Sequence, residues 1–120
     1  MALPTREPKD KHPYVRHPES RPCTRSLEPG EYVYVQSGDG TVWVAPNAPH
    51  QHPRVLGGAS SAAAAGELIL EGEGRVVEVN NLSGSFQLGP DTLERVVEAL
   101  RNMGFEIPED AIKRYPEEFF

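Results

Sequence analysis

The chain has one cysteine, Cys23, among 120 residues, so no disulfide can close within it. Small secreted domains often depend on such staples, which makes the cytoplasm the expected compartment. No apolar run approaches the ~20 residues of a membrane span, and the first residues lack the ~7–15-residue apolar core of a signal peptide. Cations are scarce in the body. Residues 29–120 carry six Lys/Arg against fourteen Asp/Glu, net −8, whereas residues 1–28 carry six against four, net +2. Nucleic acids and anionic membranes both select basic surfaces, so neither is an expected partner. In its plainest role the acidity keeps the domain soluble.

Phosphate-binding signatures are missing as well. Gly38, Gly40, Gly57 and Gly58 form neither a Gly-x-Gly-x-x-Gly turn nor a phosphate loop, so no cofactor is implied. Ser83-Gly84-Ser85 is not a Gly-x-Ser-x-Gly nucleophile elbow. No internal repeat is visible.

Proline is abundant, and its placement divides the chain. Prolines 4, 8, 13, 18 and 22 punctuate residues 1–28, where aliphatic residues are few. Such a segment cannot offset its own ordering entropy and reads as an extended or disordered arm. Within it, His12-Pro13-Tyr14-Val15 is a candidate edge strand. Residues 29–120 then form a single α+β domain.

Glu31-Tyr32-Val33-Tyr34-Val35-Gln36 alternates as a strand, with the tyrosines on one side and the valines on the other. Ser37-Gly38-Asp39-Gly40 supplies a hairpin turn, and Thr41–Ala45 returns antiparallel. Residues 46–58 read as a loop, and Ala59–Ala65 as either a short helix or an extended small-residue run. A second hairpin joins Glu67–Leu70 to Arg75–Asn80, with Leu68 and Leu70 on one face and Val77 and Val79 likewise sharing a face. Ser85–Leu88 is a further candidate strand. Asp91 is a candidate N-cap with Glu94 completing a capping box. Leu93, Val96, Val97, Leu100 and Met103 then make one apolar stripe, and Gly104 ends the helix. Phe105–Ile107 is a strand or anchor, and Pro108 opens a short helix through about Arg114. The expected architecture is a small antiparallel sheet of two hairpins with a C-terminal helix packed on one face.

The polar residues gather between His50 and Phe86, beside glycine turns, where sheet-held loops usually carry function. His50 and His52 could place two imidazoles on one side of a strand, as zinc or copper sites do, with Glu67, His12, His17 or Cys23 completing the set. The flanking prolines 49 and 53 favour an ordinary loop instead, and no metal is assigned. Histidine also moves protons near neutral pH, which makes His50, His52 and Glu67 the catalytic candidates. Glu67 equally suits a strand cap or a surface pair with an arginine. Asn80, Asn81, Ser83 and Ser85 suit turn stabilisation, and Asn81, Ser83 and Ser85 are also binding candidates. Trp43, with Tyr32 and Tyr34, makes either an aromatic face for a partner or part of the core.

Gly30-Glu31-Tyr32-Val33-Tyr34-Val35, a histidine-bearing loop, Ala64-Ala65-Gly66-Glu67, and Asn81-Leu82-Ser83-Gly84 before an aromatic residue and a helix together form a pattern. Over roughly residues 30–105 it resembles a small bacterial domain of some polymorphic-toxin C-terminal regions and, more distantly, plant calmodulin-binding proteins. Those relatives carry an Asn-x-Ser-Gly-His-Tyr-like turn, where this chain has Ser85 and Phe86. If their histidine is catalytic, the resemblance implies that this chain is inactive or relies on His50 or His52. No Ile-Gln-x-x-x-Arg-like motif is present, so calmodulin does not carry over as a partner. The expected function is recognition of a protein or peptide within a bacterial toxin, effector or defence system. The alternative is a small hydrolytic or group-transfer enzyme in which Glu67 orients His50 or His52.

Overall fold

A computed structural model describes residues 2–9, 11–48, 51–84 and 86–116. Its centre is a six-stranded, mostly antiparallel sheet: β1 (Arg21–Pro22), β2 (Gly30–Gln36), β3 (Val42–Pro46), β4 (Ala64–Gly72), β5 (Arg75–Asn80) and β6 (Ile112–Lys113). The strands lie in the order β1-β3-β2-β4-β5-β6, and only β5 and β6 run parallel. Two helices join it, α1 (His52–Leu56) and α2 (Pro90–Asn102). The fold is thus α+β, and the two expected hairpins are its middle four strands rather than the whole sheet. Among the described residues no helix is long and apolar enough to cross a membrane.

Alternation along β2 sets the two faces. Tyr32 and Tyr34 face a core completed by Leu68, Val79 and the α2 stripe of Leu93, Val96, Val97 and Leu100. Val33 and Val35 face a second core with Ala65, Val55 of α1, Phe86 and Leu88. The sheet is therefore covered on both sides, by α2 on one and by α1 with the 86–88 segment on the other.

Several local expectations need correction. Residues 46–58 are not all loop, because α1 forms with Pro53 in its first turn, where a missing N–H costs nothing. Ala64 and Ala65 are strand, paired with Gln36 and Val35. Their helix preference yields to the pairing with β2 and to burial, Ala64 in one core and Ala65 in the other. Val77 does not share a face with Val79. The β4–β5 register shifts at Ile69/Leu70, so Val76 and Val79 are buried while Val77 is exposed. A β-bulge breaks the two-residue alternation in just this way. Residues 86–88 form no strand, and Gln87 turns at φ +49°.

α2 begins one residue before the expected cap. Gly89 is its N-cap, Pro90 occupies the first turn, and Asp91 makes no side-chain cap bond. Proline's fixed φ suits that position, and Asp91 still complements the helix dipole. Beyond α2, a short 3₁₀ turn (Glu109–Ala111) leads into β6, replacing the short helix expected through Arg114.

The described part of the 1–28 segment contacts the body at several points. Arg6 bridges to Ala62, the Gly58 N–H donates to the Tyr14 carbonyl, and Ser20 Oγ donates to the Val55 carbonyl at 2.5 Å. Gly57, at φ +77°, has the Arg16 main chain so close that a Cβ would sit 2.9 Å from its nitrogen. The edge strand is Arg21–Pro22 rather than residues 12–15, and Cys23 and Leu27 enter the core beneath α2.

Candidate functional site

The site is built where β4 and β5 converge. Gly66 faces Tyr34 across the β2–β4 ladder. A Cβ on Gly66 would lie 1.8 Å from the Asn80 carbonyl oxygen and 2.8 Å from the Tyr34 ring. Only glycine permits that approach, and it brings the end of β5 against β4.

The regular β4–β5 ladder reaches Leu68 and Val79. Beyond them the Asn80 side chain takes over. Its Oδ1 accepts the Glu67 N–H at 2.9 Å and the Leu82 N–H at 3.0 Å, ending one strand and starting the next turn. Its Nδ2 donates to Glu67 Oε1 at 3.1 Å and to Glu78 Oε2 at 2.8 Å. From the end of β3, Asn47 Nδ2 donates to the other Glu67 oxygen, Oε2, at 3.2 Å. Glu67 is thus held by two neutral amides, and no ion pair among the described residues includes it.

His52 opens α1 and reaches the same strand, its Nε2 lying 2.8 Å from the Gly66 carbonyl. A carbonyl only accepts, so Nε2 carries the proton and Nδ1 is the acceptor of a neutral ring. Burial pushes the His52 pKa below its ordinary value, against the opposing pull of the Gly66 carbonyl and the Glu67 charge. Ser83, 2 % exposed, has a hydroxyl with no hydrogen-bond partner. Asn47, His52, Glu67 and Ser83 line one cavity of about 630 Å³, walled by Val33, Ala48, Leu82 and Gly84.

Of the residues singled out in the sequence, His52, Glu67 and Ser83 come together. Asn81 points elsewhere: its Nδ2 donates to the carbonyls of Leu88 (3.0 Å) and Tyr115 (2.8 Å), and its Oδ1 accepts the Tyr115 N–H at 2.9 Å. It ties the segment after β6 to the turn. Trp43 packs against the α1-side core, with the Arg16 guanidinium 5.6 Å from its ring centre. Tyr32 and Tyr34 lie on the opposite face, so the three aromatics form no shared patch. His50 and Ser85 lie outside the described residues.

The supplementary metal ligands do not assemble. Cys23 is in the core under α2, across the sheet from His52, with burial pushing its thiol up to about 12 against the lowering influence of Arg21. His17 Nδ1 accepts the Glu19 N–H, and His12 meets Tyr14 edge-on. Among the described residues no three His, Cys, Asp or Glu side chains form a metal-holding group.

Both segments around Glu67, the 46–58 loop and the 80–86 turn, are expected from the sequence to form a functional face, but neither Asn47 nor Asn80 is singled out in them. Asn80 reads first as turn chemistry, and Asn47 carries no signal of its own because its partner is 20 residues away. The arrangement is not a serine–histidine–acid relay, since the His52 N–H bonds a main-chain carbonyl and the Ser83 hydroxyl bonds nothing. It is a cavity rich in fixed hydrogen-bond acceptors. Compared with known proteins, the chain matches no family model, no curated protein and no solved structure.

Proposed function

We propose that this chain is a recognition module that takes a segment of a protein partner into the cavity bounded by α1, Glu67 and residues 82–84. The observation that carries this reading is the double amide clamp on Glu67. A carboxylate fixed before a ligand arrives spends little ordering entropy on binding. The setting, a bacterial toxin, effector or defence system, rests on the sequence resemblance.

The experiment is capture from a lysate by the immobilised full chain and by its Glu67→Ala variant, with thermal unfolding of both as the folding control. A partner retained by the parent and lost by a folded variant supports the reading. A partner held equally by both removes the cavity from the interaction.

The second reading is a small hydrolytic or group-transfer enzyme with His52 as base beside Glu67. One observation favours it: burial keeps His52 neutral near neutral pH, in the same cavity as an unpartnered serine hydroxyl. Turnover that disappears in His52→Gln, with a pH profile that follows the histidine, would place this reading first.

A further inference from the structure

Taking that recognition reading as its basis, we infer that the group accepted by the cavity is a cation on an aliphatic stem, a lysine or arginine side chain of the partner. Most of the side-chain N–H groups around the site are turned to its own carboxylates and carbonyls. The Asn47 amide bonds Glu67, the Asn80 amide behind it bonds Glu67 and Glu78, and the His52 N–H bonds the Gly66 carbonyl. What remains to meet a ligand is the Glu67 carboxylate, with the neutral imidazole of His52 beside it and the unpaired Ser83 hydroxyl just beneath the cavity wall. An anionic ligand would meet the repulsion of Glu67, with no cationic side chain among the lining residues to offset it.

Ser83 supplies a separate argument. The residue is 2 % exposed, it lines the cavity, and its hydroxyl has no partner. A buried hydroxyl left unpaired is costly, and natural structures generally pair such groups. An ammonium or guanidinium carries several N–H donors, so one can bond the Glu67 carboxylate with others left over for the Ser83 oxygen once the wall yields to the ligand. Glu67 itself is a partly buried charge whose amide partners are neutral, so it gains from a counter-charge that the described residues do not supply. Val33 and Leu82 give the walls an apolar surface on which the methylenes of a long basic side chain can lie. The net charge of −8 over residues 29–120 steers a basic segment toward the body.

The test is a titration of the ¹⁵N-labelled full chain, followed by NMR, with three capped tripeptides: acetyl-Ala-Lys-Ala-amide, its arginine counterpart and its norleucine counterpart. Norleucine keeps the stem and lacks the charge. The lysine or arginine peptide should move the amide signals of Glu67, Leu82 and Ser83 and the His52 ring, with affinity roughly tenfold or more above the norleucine peptide. That affinity should fall as salt is added. Glu67→Gln, which removes the charge and nearly keeps the shape, should abolish the preference while signals remote from the cavity stay in place. If that variant does not fold, the lysine-to-norleucine ratio and the salt dependence of the parent decide alone. Equal binding of the norleucine peptide overturns the cation while leaving a recognition groove. Failure of all three peptides at millimolar concentration overturns it too, and lysate capture then judges the recognition reading separately.

Discussion

Tyr34 lies across Gly66, its neighbour on the adjoining strand, and its hydroxyl continues past it to the Asn80 carbonyl at 2.7 Å. The aromatic ring covers the place where a side chain would stand, as aromatics do over strand glycines. Adding a methyl group there forces main chain apart as well as side chains. Gly66→Ala should therefore cost more than about 2 kcal/mol, toward or beyond the top of the usual overpacking range. Tyr34→Phe removes only one buried hydrogen bond and should cost about 1–3 kcal/mol. Urea unfolding of both variants checks the order.

Asn80 is the hinge between scaffold and site, because one side chain completes a strand, starts a turn and holds Glu67. Asn80→Asp keeps the acceptor but replaces the donor with a carboxyl group facing Glu67 and Glu78. Their charges raise the folded-state pKa of that new group above its unfolded value. The folded state then binds the extra proton, so the variant's deficit is smallest below about pH 4 and grows as pH rises. Thermal unfolding from pH 4 to 7 should show a gap to the parent that widens with pH. A constant gap would mean that the lost donor matters and the charge does not.

The sign is opposite for His52. Burial lowers its folded-state pKa beneath the ~6.5 of a free imidazole. The unfolded chain then binds more protons, and stability falls as pH drops from about 6.5 through the folded-state pKa. His52→Gln removes this contribution. The difference in unfolding free energy between parent and variant should therefore change with pH in that window and level off above it. A ring signal titrating above 6.5 in the parent would refute the burial argument.

Residues 1–26 supply β1, the buried Cys23 and the Ser20 bond to Val55. Their deletion should cost more than about 2 kcal/mol, a large share of a small domain's stability. At this size that corresponds to roughly 8 °C or more in Tm. The intact chain offers an independent readout. Because burial raises the Cys23 thiol to about 12, a thiol reagent should react at a rate set by opening of the arm or of the whole fold. Immediate labelling would show that the arm leaves the sheet freely.

What could be read from the sequence was local. The β2–β3 hairpin declared itself through alternation and a turn rich in glycine, and α2 through the spacing of Leu93, Val96, Val97 and Leu100. His52, Glu67 and Ser83, each beside a turn or a strand end in the sequence, come to line one cavity. The remainder depends on distant partners. Ala64 and Ala65 are strand because Val35 and Gln36 lie beside them, Val77 turns outward because the register slips, and Asn47 joins the site because β3 ends next to β4. Spacing within a segment carries none of these pairings. In the arm, poverty in aliphatic residues gave no sign that Cys23 and Leu27 reach the core.

The sheet also constrains how anything can bind it. Its outermost strands, β1 and β6, each contribute two residues, and one of the residues of β1 is a proline with no N–H to give. An extended segment arriving from outside would find almost no main-chain rungs there, whereas the longer β2 and β4 are enclosed on both sides. Adding a seventh strand is thus a poor route to affinity. On the recognition reading proposed above, selection of a partner would fall to side chains, where Ser83 Oγ stands unanswered beside a clamped carboxylate.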